Sequence, residues 1–148
     1  MVNPAIAGKT YPSPSPYLVG REKVREFAAA TGVTAALSTD PVSARKAGYV
    51  DVVAPPTFAV IVSQRAEMAL LFDPEAQIDF AHLVHGEQKF THHKPIVAGD
   101  ELSATLTVSS VKSLGANTML TTTTEIVDHS GAPVSTAVAS FVIREAAE

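Results

Sequence analysis

A pair of prolines opens a run of residues that has no polar face. After Pro55-Pro56-Thr57 come Phe58, Ala59, Val60, Ile61 and Val62, then Ala66, Met68, Ala69, Leu70 and Leu71. Proline is tolerated in a helix only in its first turn, where its missing amide has no partner to lose. A helix whose first half is apolar on nearly every side has to be buried, because a surface helix keeps a polar stripe. Asp73-Pro74 ends it, since the residue before a proline is pushed out of helical backbone. Whatever else the chain forms must therefore surround this segment.

Downstream the period changes from helical to alternating. Leu102, Ala104, Leu106 and Val108 share one face of a strand, while Ser103, Thr105, Thr107 and Ser109 share the other. Gly115-Ala116-Asn117 reads as a turn, Thr118 to Asp128 as a Thr-rich strand, Ser130-Gly131 as the next turn, and Val134 to Arg144 as a further strand. The Thr121 to Thr124 run is expected on the sheet surface. An earlier strand covers roughly Leu83 to His93. One buried helix followed by four long antiparallel strands makes an α+β domain in which a curved sheet wraps the helix. The pattern alone leaves the strand order open.

Upstream, Pro12, Pro14 and Pro16 predict an irregular arm over residues 1–16. Val24, Phe27 and Ala28 recur at helical spacing from Arg21 to about Thr31, and Gly32 stops that helix. Residues 33–53 read as a looped segment with a helical turn around Ser43 to Ala47. Asp40 is placed to cap the turn beginning at Pro41, and Asp100 after Gly99 belongs to a strand-opening turn.

With 148 residues, 46% of them apolar, the chain buries most of its surface as a single domain, 1–148. A net charge of -4 without a Lys/Arg cluster argues against a phosphate-backbone partner, so no nucleic acid is expected. The absence of cysteine removes disulfides, zinc ribbons and thiol nucleophiles, and points to a reducing, cytoplasmic setting. Neither a leader nor a membrane span is readable.

Four ordered blocks are more specific than any of these patterns. They are Arg21-Glu-Lys-Val-Arg-Glu-Phe-Ala, Ala44-Arg-Lys-Ala-Gly-Tyr-Val-Asp-Val-Val-Ala-Pro-Pro-Thr-Phe, His85-Gly-Glu-Gln-Lys-Phe and Lys94-Pro-Ile-Val-Ala-Gly-Asp-Glu-Leu. Together they resemble the MaoC-like (R)-specific dehydratase/hydratase family over about residues 9 to 144. Within it, they are most similar to the HadA-like, N-terminal-type branch of actinobacteria, the FAS1-like dehydratase domain. The resemblance implies a hot-dog fold, a sheet wrapped around the Phe58 to Leu71 helix, and acyl-thioester substrates bound at a dimer interface. It implies no cofactor.

Active members of that family carry Gly-Asp-x-Asn-Pro-(Ile/Val)-His-x-Asp. Here the ungapped counterpart is Gly32-Val33-Thr34-Ala35-Ala36-Leu37-Ser38-Thr39-Asp40. Val33 stands where the resemblance puts the catalytic Asp and Ser38 where it puts the catalytic His. Removing water from a 3-hydroxyacyl thioester needs a base for the proton on carbon 2 and an acid for the departing hydroxyl. Valine has no exchangeable proton, and a serine hydroxyl is no base at neutral pH without a base of its own. The resemblance to HadA-like subunits then implies a non-catalytic, acyl-chain-binding subunit of a (3R)-hydroxyacyl-ACP or acyl-CoA dehydratase in fatty-acid elongation. Its partner would be a catalytic MaoC-like chain in a heterodimer.

On that reading Pro55, Pro56, Thr57 and Phe58, with Val60 one turn further, line the acyl channel, core packing being the other account of the same residues. Gly86 would weaken strand pairing, so His85, Gly86 and Gln88 are expected where a second backbone or a ligand approaches. Other readings stay open: a self-sufficient hydratase or an acyl-thioester hydrolase with a substitute base such as His85, or a non-enzymatic acyl-binding homodimer. Glu67 lies far along the helix for a hydrolytic role. His82, His85, His92 and His93 do not make a metal set, because neighbours on a strand face opposite ways and no Cys or close carboxylate completes them.

Overall fold

The computed structural model describes residues 1–144. Its centre is the helix expected from the proline pair. Pro56–Phe58 form a single 3-10 turn and α4, Ala59–Leu71, continues from it. Three shorter helices precede it: α1 at Arg21–Ala30, α2 at Ala36–Thr39 and α3 at Pro41–Lys46. The segment read as a loop with one helical turn thus holds two short helices. Asp40 explains the break between them, since its carboxylate accepts the backbone amides of Val42 and Ser43 while Pro41 fills the first helical position.

Six antiparallel strands form one sheet: β1 Thr10–Pro12, β2 Tyr17–Leu18, β3 Leu83–His92, β4 Glu101–Leu114, β5 Asn117–Asp128 and β6 Pro133–Arg144. Their order is β1-β4-β5-β6-β3, with β2 also on β4. The sheet curves around α4, which packs chiefly on β4 and also on β1, β5 and β6. This is the hot-dog arrangement that the resemblance implied. The face of β4 read from alternation is the inner one, and Leu102, Ala104, Leu106 and Val108 are all buried. They meet Phe58, Val62, Ala66 and Leu70 of α4, together with Leu120, Ile126, Phe141 and Ile143 from β5 and β6.

Two expectations need correction. The Pro-rich arm is not irregular throughout, because β1 pairs with β4 in the register Thr10↔Thr107, Tyr11↔Leu106 and Pro12↔Thr105. Proline fits here because β1 is an edge strand that can spare an amide. Val2, Ile6 and Tyr11 are buried, and the arm is fastened to the far end of α4. Lys9 Nζ donates to Asp73 at 2.7 Å and Glu75 at 2.6 Å, and the Tyr11 hydroxyl donates to Asp73 at 2.7 Å. The Thr-rich run is likewise only half on the surface. Thr122 and Thr124 share the inner face of β5 with Leu120 and Ile126 and are buried with them.

Strand β3 is bonded to β6 alone among the described residues, and most of its side chains are exposed. The register shifts between His85 and Glu87, so Gly86 sits in a bulge. An ideal Cβ at Gly86 would lie 3.5 Å from the Ser140 carbonyl oxygen, an ordinary contact. The glycine there marks the bulge rather than a crowded approach.

Candidate functional site

The loop after α1 turns on Gly32, whose positive φ of 72° suits a residue without a Cβ. It carries Val33, Ala35, Leu37 and Ser38 to one wall of a cavity of about 490 Å³. Val53 to Pro56 form the second wall and His92 to Ile96 the third. Backbone bonds lock the three together: Val53 N donates to Leu37 O at 2.8 Å, Ala54 N to Ile96 O at 2.8 Å and Ala98 N to Val52 O at 3.0 Å. Val33 and Ser38, the positions where the sequence resemblance puts a catalytic pair, therefore face one cavity at the mouth of α4.

The chemistry left at those positions is slight. Ser38 is buried, and its hydroxyl donates to the Val53 carbonyl at 2.7 Å. That bond uses its proton for structure. Asp40 does not line the cavity. The Ser43 hydroxyl and the Val42 and Ser43 amides hold its carboxyl below the usual carboxylate range, so it is a helix cap fixed in its ionised form. Among the described residues lining the cavity there is no carboxylate.

His92 and His93 do reach the cavity, which alternation alone did not anticipate. The strand ends at His92 and bends at His93, so the two are not constrained to opposite faces. The signal was available in Lys94-Pro95, because a residue before proline leaves a ladder easily. The His92 ring stacks on Phe90 with centroids 5.9 Å apart, and His93 Nε2 lies 3.1 Å from the Thr136 hydroxyl. Lys94 Nζ is engaged by Asp128, whose carboxyl is held far below its ordinary range first by that ammonium and then by the Ser130 hydroxyl. Among the described residues no group of three or more His, Asp and Glu side chains is placed to hold a metal ion.

The residues expected to line an acyl channel separate into two places. Pro55 and Pro56 line the cavity. Thr57 is exposed just beyond it and Val60 is half-buried. Phe58 is 0% exposed and meets Phe27 edge-on at 5.4 Å, as a core side chain does. His85, Gly86 and Gln88 sit on the bulged edge strand, away from the cavity walls. Near His85 lies Glu67 of α4, which is 4% exposed. Burial raises the Glu67 carboxyl above its ordinary range, while the charge of His85 and a 3.4 Å hydrogen bond from the Ser63 hydroxyl work against that rise.

A family model described as the FAS1-like, dehydratase domain region matches residues 5–137. A UPF0336 protein of Leifsonia xyli is 52% identical over 143 residues, covering 97% of this chain and 96% of that protein. One from Clavibacter michiganensis is 53% identical with the same coverage. A solved structure of a C-terminally truncated HadBC (3R-hydroxyacyl-ACP dehydratase) complex from Mycobacterium tuberculosis matches with a TM-score of 0.84 at 28% identity. The match covers 93% of this chain and 96% of that one. A MaoC-like dehydratase matches with a TM-score of 0.82 at 32% identity over 96% of this chain but 43% of its own.

Proposed function

The chain belongs to the FAS1-like dehydratase domain family, and from that premise we propose that it is the non-catalytic, acyl-binding subunit of a (3R)-hydroxyacyl-thioester dehydratase. Its fold is that of the HadBC dehydratase. The observation that carries the reading is the cavity at Val33 and Ser38. It keeps the family's place for an acid and a base but has a hydrocarbon at one position and a committed hydroxyl at the other. In this scheme the partner chain removes the proton on carbon 2 and protonates the leaving hydroxyl. This chain supplies the apolar wall of Pro55 and Pro56, backed by Phe58, against which the acyl chain lies. The carrier is acyl carrier protein or coenzyme A.

The edge strand β3 supports a partner. Among the described residues its outer edge leaves backbone donors and acceptors without a strand beside them, and Val84 on it is 63% exposed. A second hot-dog chain seated there would extend the sheet and cover the apolar side chains. The test is to assay hydration of a trans-2-enoyl thioester by the pure chain and by its mixture with a catalytic MaoC-like chain. Activity in the mixture and none in the chain alone is the expected result. Turnover by the chain alone would overturn it.

One observation favours a second reading, a self-sufficient hydratase. His92 and His93 are imidazoles in the same cavity as Val33 and Ser38, and a pair of imidazoles can divide the roles of base and acid. Under that reading His92→Gln with His93→Gln abolishes turnover by the pure chain. The partner reading is favoured because no carboxylate among the cavity's described lining orients either ring.

A further inference from the structure

A line of hydrogen bonds that starts on the outside of the sheet ends in the cavity. Glu125 on β5 and Thr136 on β6 stand directly opposite each other, and the Thr136 hydroxyl donates to Glu125 Oε2 at 2.9 Å. His93, just past the end of β3, brings its Nε2 to 3.1 Å from the same hydroxyl. A threonine hydroxyl has one hydrogen, and Glu125 already takes it. Toward His93 the oxygen can therefore only accept, so Nε2 carries the ring hydrogen and Nδ1 of the neutral ring keeps a lone pair. The carboxylate thus fixes which nitrogen of a ring beyond its own reach is the acceptor.

His93 lines the cavity together with Val33, Ser38, Pro55 and Pro56, and it is exposed, so an entering ligand can reach the ring. Its Nδ1 makes no hydrogen bond among the described residues. Ser38 has given its own hydrogen to the Val53 carbonyl and has none for the ring. An acceptor left open beside apolar walls is satisfied by a ligand that donates. The acyl part of a 3-hydroxyacyl thioester carries one such donor, its hydroxyl, and the cavity is where the resemblance puts the groups that would meet it. Resting on the acyl-binding role proposed above, we propose that His93 Nδ1 accepts the hydroxyl hydrogen of a 3-hydroxyacyl thioester, and that Glu125, acting through Thr136, is the positioning residue that keeps this nitrogen an acceptor. The arrangement binds rather than reacts. The hydrogen on Nε2 stays with Thr136, so the ring has none to give to a departing hydroxyl. The dehydrated product has no hydroxyl and loses the contact, which makes this subunit prefer substrate over product.

Calorimetry on the full chain compares a (3R)-hydroxyacyl N-acetylcysteamine thioester with the same thioester lacking the hydroxyl. The wild-type chain should bind the hydroxylated probe about fivefold more tightly, as one net hydrogen bond allows, and His93→Phe should bring that ratio close to one. Nitrogen NMR of the imidazoles reads the positioning role. Wild-type His93 should be a single tautomer with its hydrogen on Nε2. Glu125→Ala frees the Thr136 hydroxyl to donate, so it should give a mixture of tautomers and a lower ratio. Glu125→Gln, whose amide oxygen still accepts, should restore both. Equal binding of both probes by the wild-type chain, a ratio untouched by His93→Phe in a folded protein, or a His93 hydrogen on Nδ1 would overturn the site while leaving the acyl-binding role standing. A tautomer and ratio unchanged in Glu125→Ala would overturn the part given to Glu125. Binding of neither probe would overturn the acyl-binding role and the site together.

Discussion

Ser38 donates its hydroxyl hydrogen to the carbonyl oxygen of Val53 across 15 residues of chain, at 2.7 Å. The position where the sequence resemblance puts an imidazole is thus a fastening between two cavity walls. Ser38→Ala should cost about 1 kcal/mol, because the Val53 carbonyl loses its partner in a part-buried place. That corresponds to a fall in Tm of roughly 2–4 °C for a chain of this size. Ser38→His should cost about 1–3 kcal/mol, since a larger ring has to enter a packed position. Thermal unfolding of both variants checks the pair, and a Ser38→His variant as stable as the wild type would show that the wall has room to spare.

Phe58 separates channel lining from core packing. It is fully buried against Phe27 and Tyr17, so Phe58→Ala should destabilise by about 3–5 kcal/mol. Pro56→Ala, on an exposed side chain of the cavity wall, should leave stability nearly unchanged. Urea unfolding curves give both values.

Asp73 sets the acid limit of the arm. The Lys9 ammonium and the Tyr11 hydroxyl, with the Glu75 amide, lower its carboxyl from 3.8 to about 2. A depressed carboxylate contributes stability above its unfolded value and loses it as pH falls through the folded one. Wild type should therefore weaken between about pH 4 and pH 2, while Asp73→Asn should be less stable at pH 6 and flatter over that window. Denaturant midpoints measured across this range are the check.

Glu67 has the opposite sign. Its carboxyl is raised by burial, so the stability linked to its protonated form is complete below the unfolded value and is lost as pH rises through the folded one. Glu67→Gln should be more stable than wild type at pH 8, by about 1 kcal/mol, and the advantage should shrink toward pH 4. His85→Gln removes the one charge that favours the ionised form and should push the Glu67 midpoint higher, readable by carboxyl-carbon NMR.

Much of the fold was legible because its signals are local. The proline pair before Phe58 announced α4, and the alternation of Leu102, Ala104, Leu106 and Val108 gave the inner face of β4. What stayed hidden depends on contacts distant in sequence. Nothing near Thr10 indicates that it will pair with Thr107. Alternation assigned the threonines to solvent because it yields two faces without saying which is inside. At the site, Val33, Ser38, Pro55 and Pro56 were each identified, and the cavity unites them. His92 and His93 were set aside by a strand rule that fails where the strand bends. The neighbourhood of Glu67 and His85 was invisible because it joins a helix to a strand through an irregular register.

The attachment of β1 to β4 makes the two borders of the sheet unlike each other. The short strand occupies one border of the sheet, leaving β3 as the long open one. A sheet with a single adhesive border forms closed pairs and stops. Removing residues 1–12 would bare the border of β4 from Thr105 to Thr107, beyond the short pairing with β2, and each molecule would then have two sticky sides. Such a truncated protein should aggregate or precipitate under conditions where the intact chain stays dispersed, which light scattering reads directly.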